Sequence, residues 1–241
     1  MSAAGQDHGA PYPLRGRSVL LTGASGGIGA ALAVELAERG SVLTLLARDV
    51  MRLQELPVDG LRLVSDLRTP GACERAVRSA AEHGGGLHAL INAAGVVAFG
   101  MLAEASEEAV LELFQTNALV PIALARSALG VLSPGGAIVN ISGVVADTPL
   151  PGMAAYCASK GALRAFDAAL ARETRRSRSR IRVIDARPPH TDTQLAAHPL
   201  EGAPPPLGAG IAPARVAQVI CDALEDGSRD LPPESFAMPR R

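Results

Sequence analysis

A tyrosine and the chain's single lysine, Tyr156 and Lys160, stand four residues apart. The chain holds 23 basic residues and 2 tyrosines, so this pairing is unusual in its composition. Residues at positions i and i+4 share one helix face, and a nearby ammonium lowers the pKa of a phenol by favouring the phenolate. Such a phenol is a usable general acid or base near neutral pH. The alternative is a packed tyrosine beside a surface lysine.

A glycine-rich segment between an apolar run and a predicted helix indicates a phosphate site. Its glycines are Gly23, Gly26, Gly27 and Gly29. Glycines permit a tight turn and close backbone approach, and a helix N-terminus offers N–H groups and a positive dipole end to a pyrophosphate. No Lys-Ser/Thr follows, which excludes the phosphate loop of nucleoside triphosphatases. The segment therefore predicts a dinucleotide site, with a ligand-free tight turn as the alternative.

The end of the second predicted strand bears on the choice of dinucleotide. Ala47 ends this strand, and Arg48 and Asp49 follow it. An acid at the strand end would bind the ribose hydroxyls of NAD, whereas an arginine suits the 2′-phosphate of NADP. Asp49 comes one residue late and can instead cap the next helix. These residues favour NADP(H) over NAD(H), with an ordinary surface arginine as the alternative for Arg48.

The elements that would position these groups alternate between strands and helices. Strands are predicted at 18–21, 42–47, 61–64, 87–92, 137–141 and 181–186. Helices are predicted at 28–39, 50–56, 71–83, 106–132, 154–175 and 214–226, with a kink or join at Pro121. This alternation predicts βαβ units in one doubly wound α/β domain, with a parallel sheet of six or seven strands between two helical layers.

The boundaries of that domain are predicted at residues 15 and 232. The length of 241 residues suits one domain with a substantial core. Polar and proline-rich residues predict a flexible tail over 1–14 and a C-terminal tail over 233–241. The segment 187–212 lacks periodicity, and long loops of this kind are usually lids or binding loops. We therefore predict a substrate loop there, with the histidines His190 and His198 exposed to solvent and contact of either with the substrate as the alternative.

Composition narrows the classes of partner and compartment. A net charge of −1 argues against nucleic acid and anionic membranes as partners. The cysteines Cys73, Cys157 and Cys221 have neither disulfide nor metal-ligand spacing. We therefore expect no bound metal and a location in the reducing cytoplasm. No signal peptide or apolar membrane span is expected. The arginine run 172–182 predicts a solvated helix end, and docking of an acidic partner such as an acyl carrier protein is the alternative.

In combination, the motifs resemble the short-chain dehydrogenase/reductase family over about residues 15–195. The matching segments, in chain order, are Thr22–Gly29 (TGxxxGxG), Asp66-Leu67, Asn92-Ala93-Ala94-Gly95, Asn117, Tyr156–Lys160 (YxxxK) and Pro188–Thr193. The resemblance implies a Rossmann-like single domain that binds a nicotinamide dinucleotide along the carboxyl ends of its strands. It also implies a homodimer or homotetramer.

The resemblance also implies cofactor contacts, to which the strand-end argument adds Arg48. These residues are Thr22, Gly23, Ser25, Gly27, Ile28, Gly29, Asp66, Leu67, Asn92, Ala93, Ala94, Gly95, Tyr156, Lys160, Pro188, Thr191 and Thr193. Asp66 and Leu67 would hold the adenine. Thr193 would contact the nicotinamide carboxamide, and Thr191 is a competing candidate for that role.

The catalytic residues implied by the resemblance are Tyr156, Lys160, Ser142 and Asn117. Tyr156 would exchange the proton, Lys160 would lower its pKa and hold the nicotinamide ribose, and Asn117 would fix a relay water. The family places its serine thirteen residues before the tyrosine, where this chain has Gly143, so the adjacent Ser142 is expected to replace it. The alternative is that Ser142 only satisfies backbone groups at the strand end. Pro189 also stands where the family has glycine.

The activity implied is NADPH-dependent reduction of a carbonyl, or the reverse oxidation of an alcohol. A small or medium apolar ketone is the expected substrate, because the loop after residue 190 carries few charges. Reduction of an imine or enone is one alternative. A non-catalytic nucleotide-binding protein on the same fold is the other.

Overall fold

The computed structural model describes residues 12–177 and 180–237. Its seven strands are β1 Ser18–Thr22, β2 Val42–Ala47, β3 Leu61–Val64, β4 Leu87–Asn92, β5 Leu132–Ile141, β6 Arg182–Ala186 and β7 Asp230–Leu231. They form one sheet in the order β3-β2-β1-β4-β5-β6-β7, with every neighbouring pair parallel. The apolar runs become strands because both faces of a parallel sheet are covered by helices.

Seven α-helices cover this sheet. They are α1 Gly27–Glu38, α2 Val50–Gln54, α3 Ala72–His83, α4 Glu107–Phe114, α5 Val120–Ala128, α6 Ala154–Arg176 and α7 Pro213–Asp226. Helices α1 and α7 pack together over one core, while α3, α5 and α6 enclose a second core. The predicted single domain with three αβα layers and a doubly wound sheet is therefore confirmed.

The strand order reverses between β1 and β4, which lie side by side at the centre of the sheet. Open α/β sheets bind ligands at such a reversal, outside the carboxyl ends of the strands. The ends of β1, β4, β5 and β6 lead into the glycine-rich turn, the segment 93–95, Ser142 and the substrate loop. Most of the motifs, which are far apart in the sequence, therefore lie along one edge of the sheet.

The predicted long helix 106–132 is divided, as Pro121 suggested. A π-helical turn, Gln115–Leu119, separates α4 from α5, and Pro121 lies in the first turn of α5. Proline has no N–H group, so Pro121 cannot donate the α-helical hydrogen bond to the carbonyl of Asn117, four residues earlier. The predicted end was wrong, because α5 ends at Ala128 and the chain enters β5 at Leu132.

The stretch Glu107–Ala128 is, within the described residues, the one that could cross a membrane by length and composition. In the structure it belongs to the helical layer, where Leu124, Ala125 and Ala128 are fully buried in the second core. Core helices pass the same test of length and hydropathy. The stretch therefore offers no argument for a membrane span.

Ordered packing extends past both predicted domain boundaries. Leu14 is buried in the core, and the backbone N–H of Tyr12 donates to the carbonyl of Glu225. Pro233–Phe236 forms a 3₁₀ turn that buries Phe236 under α7. The predicted tails were therefore too long where the structure describes them, and residues 1–11 and 238–241 lie outside the described residues.

Candidate active site

The glycine-rich turn between β1 and α1 packs against backbone on two sides. Gly23 has φ +67°, and a Cβ there would lie 2.4 Å from the backbone nitrogen of Ala94. A Cβ at Gly29 would lie 2.0 Å from the carbonyl oxygen of Gly23. Only glycine fits these close approaches. The tight turn leaves the first N–H groups of α1 without helical partners, which suits a pyrophosphate.

Two clefts meet at the carboxyl edge of the sheet. The nucleotide groove is lined by the glycine-rich turn and by segments 46–49, 65–68 and 93–95. The substrate cavity is lined by segments 93–95 and 141–145, the α6 residues Tyr156 and Lys160, and the loop from Pro188 to Leu207. Residues 93–95 line both, so the two clefts lie side by side along the strand ends and are together called the channel.

The structure brings most of the predicted cofactor residues to this channel. Gly23, Ser25, Arg48, Asp66, Leu67, Ala93, Ala94 and Gly95 line the nucleotide groove. Ile28, Tyr156, Lys160, Pro188, Thr191 and Thr193 line the substrate cavity.

Thr22 and Asn92 line neither cleft and lie beneath the channel, within the sheet. The hydroxyl of Thr22 is 3.4 Å from the Asn92 amide oxygen, and the Asn92 amide donates to Asn140 Oδ1 at 2.7 Å. These bonds tie β1, β4 and β5 together. Both residues therefore hold the strand ends in place.

Arginines surround the outer end of the nucleotide groove. Arg48 is 55% exposed, and the Asp49 carboxylate caps α2 by accepting the N–H of Arg52 at 3.1 Å. Arg52 and Arg68 also line the groove. Sequence reasoning missed Arg52 and Arg68. Arg52 could have been found, because it lies in the helix turn directly after Arg48.

Asp66 is held by an arginine two residues away. Arg68 donates to both carboxylate oxygens of Asp66 and also contacts Glu112 on α4 at 2.7 Å. The hydrogen bonds from Arg68 lower the pKa of Asp66 to about 2. Asp66 is therefore ionised at neutral pH and faces the groove as an acceptor.

Tyr156 and Lys160 lie one turn apart on α6, both buried. Lys160 Nζ is 6.0 Å from the centre of the Tyr156 ring and donates to the carbonyl of Ile141 at 2.8 Å. Burial raises the pKa of the Tyr156 phenol and lowers the pKa of Lys160 to about 8. Burial therefore acts against the expected lowering of the tyrosine pKa, because it disfavours the charged phenolate.

Asn117 reaches this pair from the π-helical turn. Its amide donates to Val96 O and to Ser159 Oγ, and its amide oxygen accepts the N–H of Val96. A Cβ on Gly95 would lie 3.4 Å from Asn117 Oδ1 and 3.6 Å from Lys160 Nζ, so both groups stand behind Gly95. The side chain of Asn117 fixes the backbone beside Lys160, and Pro121 leaves its main-chain carbonyl without an α-helical donor.

Ser142 lies on the wall of the substrate cavity, directly after β5. Its side chain is buried, and its hydroxyl donates to Asp185 on β6. A hydroxyl has one proton, so Ser142 cannot donate to a substrate while it donates to Asp185. The catalytic role of Ser142 stays a prediction, and it requires this hydrogen bond to Asp185 to break.

Asp185 belongs to a buried ion-pair group that sequence reasoning missed. The Arg187 guanidinium contacts Asp185 at 2.6 Å and Asp230 at 2.7 Å, which links the ends of β6 and β7. An acid and an arginine inside an apolar strand were the signal, because buried charges require partners. The group holds in place Asp185, which accepts the hydrogen bond from Ser142 at the cavity wall.

The substrate cavity has a volume of about 210 Å³ and mainly apolar walls. Phe99, Leu150, Met153, Leu195 and Leu207 are among its lining residues. These walls suit an apolar substrate with few polar groups.

The two candidate threonines of the loop have different surroundings. The hydroxyl of Thr191 donates to Pro189 O at 3.0 Å. A Cβ on Gly27 would lie 2.6 Å from the methyl carbon of Thr193, so Thr193 stands directly against the glycine-rich turn. Thr193 is therefore nearer to the predicted cofactor position than Thr191.

The arginine run is only partly a solvated surface. Arg172, Arg175 and Arg176 are exposed at the end of α6. Arg182 is buried and donates to the carbonyls of Ala223 and Leu224 at the end of α7. The expectation of a solvated face was wrong for Arg182, and Arg178 lies outside the described residues.

A glycine-rich turn at the strand-order reversal and an apolar cavity behind it define the class of dinucleotide-dependent α/β oxidoreductases. The short chain dehydrogenase family profile matches residues 17–202. The chain belongs to the short-chain dehydrogenase/reductase family and is an NAD(P)-dependent oxidoreductase.

Similar proteins agree with this membership. A short chain dehydrogenase of Emericella nidulans is 33% identical over 68% of this chain and 65% of its own length. Carbonyl reductase family member 4 of Danio rerio is 33% identical over 87% of this chain and 91% of its own. A short chain dehydrogenase from Burkholderia cenocepacia, solved in complex with NADP, is 27% identical with a TM-score of 0.81, covering 94% of this chain and 100% of that one.

Proposed function

We propose that the protein is an NADPH-dependent reductase that converts an apolar ketone to an alcohol. The proposal rests above all on one observation: the buried Tyr156 lines an apolar cavity that shares residues 93–95 with the adjacent nucleotide groove. The printed name of the Danio rerio relative, a carbonyl reductase, supports the substrate class. The NADP complex of the Burkholderia protein supports the cofactor.

Bound in the channel, the dinucleotide would supply the hydride for the carbonyl carbon. The N-terminus of α1 would hold its pyrophosphate, and Lys160, behind Gly95, would hold the nicotinamide ribose. Burial keeps Tyr156 protonated at neutral pH, which is the state required to give a proton to the carbonyl oxygen. Lys160 would stabilise the phenolate left behind, and a water held by the Asn117 carbonyl would return the proton.

The direct test is the loss of NADPH absorbance with a panel of apolar ketones. We expect turnover of at least one ketone and of the corresponding alcohol with NADP⁺. A parallel panel of imines and enones tests the alternative reductase activities. Tight NADPH binding with no turnover of any panel would favour the non-catalytic nucleotide-binding alternative.

The preference for NADP(H) is attributed to Arg48. Its guanidinium is exposed at the rim of the nucleotide groove, with Glu112 only at 3.8 Å, and is available for a 2′-phosphate. The competing acid, Asp49, already accepts a hydrogen bond from the helix that it caps. These contacts support NADP(H) as the working cofactor, with Arg52 as a second cation on the same rim.

Replacing Arg48 with Ala should weaken NADPH binding by about tenfold, because a hydrogen-bonded ion pair with the 2′-phosphate is lost. The affinity for NADH should stay within about twofold, since NADH has no 2′-phosphate. Titration of each cofactor by fluorescence measures both constants. Arg172→Ala, an exposed arginine outside the groove, is the matched control. Equal losses for both cofactors would refute the assignment of Arg48.

Assembly and compartment belong to the same proposal. Leu111 and Leu119, in α4 and the π-helical turn, are 54% and 57% exposed, which supports a homodimer or homotetramer through this face. Cys73, Cys157 and Cys221 are all buried free thiols, which supports a cytoplasmic location. Docking of an acyl carrier protein on Arg172, Arg175 and Arg176 stays a weaker proposal.

A further inference from the structure

The substrate cavity has one proton donor for the substrate oxygen in the proposed mechanism, Tyr156. A carbonyl oxygen has two lone pairs and gains negative charge as a hydride arrives. In an apolar site, a second hydrogen bond to this oxygen contributes strongly to the rate. The further inference rests on the proposed function and concerns which residue supplies that second bond.

Most polar side chains on the cavity wall already have partners. Ser142 donates to Asp185, Thr191 donates to Pro189 O, and Lys160 donates to Ile141 O. Thr193 stands against the glycine-rich turn and accepts the N–H of Leu195. Within the described residues, Tyr156 and His190 are the polar wall residues whose side chains make no hydrogen bond. Lys160 and Thr193 keep protons to donate, and the family resemblance assigns both to the nicotinamide end of the cofactor.

Backbone amides at the end of β5 are also engaged. The N–H groups of Ser142 and Gly143 both donate to the carbonyl of Ala186, and the N–H of Val144 donates to Pro188 O. The strand end therefore offers no free main-chain donor from these three residues. We therefore look for the second donor among the side chains of the cavity wall.

The backbone of His190 is fixed on both sides. Its carbonyl accepts the N–H of Ile211 at 2.9 Å, and the next residue, Thr191, forms a parallel bridge with Ile211. Two residues earlier, Pro188 O is bonded to Val144. These bonds hold the backbone of His190 at the rim of the cavity, where the residue lines the wall and is also exposed to solvent, as predicted.

The space beside Gly143, where the family has its serine side chain, is open. A Cβ there would meet only the carbonyl oxygen of Pro188, at 3.9 Å, and no other atom within 4 Å. This open space lies against the segment of the loop that carries His190. A neutral imidazole has one N–H donor, which is the group that the substrate oxygen requires.

We propose that His190 is a catalytic residue, which donates the second hydrogen bond to the substrate oxygen opposite Tyr156. The loop histidine thus compensates for the hydroxyl that Ser142 commits to Asp185. Its contribution grows as negative charge develops on the oxygen, so it acts on kcat more than on KM.

The test is a set of loop variants assayed on the best ketone of the panel. His190→Ala should lower kcat by about 10²-fold, the usual cost of removing one such donor, with KM within about threefold. His190→Gln keeps an N–H donor and should retain most of the activity. His198→Ala is the matched control, because His198 contacts Gln194 O in the same loop and does not line the cavity.

A kcat for His190→Ala within threefold of wild type, or equal losses in the Ala and Gln variants, would overturn the assignment. So would a loss of kcat in His198→Ala as large as that in His190→Ala. If wild type turns over ketones and His190→Ala does as well, only this inference fails. If wild type reduces no ketone at all, the proposed function fails and the role of His190 with it.

Discussion

Tyr156→Phe should reduce ketone turnover by about 10³-fold, which is the scale of a lost general acid. The substitution removes one oxygen and leaves the ring packed among Val97, Phe99 and Met153. The fold and the nucleotide groove should therefore be unchanged. Single-turnover oxidation of NADPH with saturating ketone measures the chemical step directly.

The second tyrosine of the chain provides the control. Tyr12 lies far from the channel, with its ring between Arg17 and Arg182. Tyr12→Phe should leave kcat unchanged. Tyr156→Phe loses at most one hydrogen bond to the cofactor, so its affinity for NADPH should fall by less than about tenfold while kcat falls far more. Full activity in Tyr156→Phe would remove the phenol from the mechanism, and a loss of NADPH binding as large as the loss of activity would assign it a role in binding alone.

Local stereochemistry explains why the nucleotide groove was predictable from sequence. A positive φ at Gly23 and the backbone contacts of Gly29 are demands that only glycine meets, so the turn is visible in the residues themselves. The Tyr156–Lys160 spacing likewise needs nothing beyond one helix. The apolar runs predicted six strands because both faces of the sheet are buried.

The hydrogen-bond partner of Ser142 was not predictable from the sequence. Ser142 lines the cavity as expected, but its hydroxyl donates to Asp185, which is 43 residues away on the neighbouring strand. Contacts of this kind exist only once the sheet has formed.

The pKa of Tyr156 was not predictable either, because it depends on burial in the folded chain. Spacing places the ammonium near the phenol, but it does not say how much water remains around either group. In the structure both are buried, and Lys160 gives a hydrogen bond to Ile141 O. Burial therefore raises the tyrosine pKa, and the protonated phenol suits ketone reduction better than alcohol oxidation.

Lys160→Met should lower ketone turnover by about 10²-fold or more, because the phenolate formed after proton transfer loses its neighbouring charge. Methionine has a similar length and no polar atom that requires a partner. In wild type, kcat should fall as pH rises through about 8, where the pKa of Lys160 lies. The variant should show no such fall, since no group titrates at that position.

Stability separates this loss of activity from unfolding. The folded-state pKa of Lys160 is about 8, below the ordinary value of 10.5, so the unfolded chain binds more protons at this residue between those two values. The contribution of Lys160 to the free energy of unfolding therefore rises with pH between these two pKa values, where the activity is expected to fall. Since burying the ammonium is unfavourable, Lys160→Met should have a Tm at pH 7 equal to or above that of wild type. A variant that loses activity together with Tm, or that keeps the wild-type decline near pH 8, would exclude Lys160 as the charge that supports Tyr156.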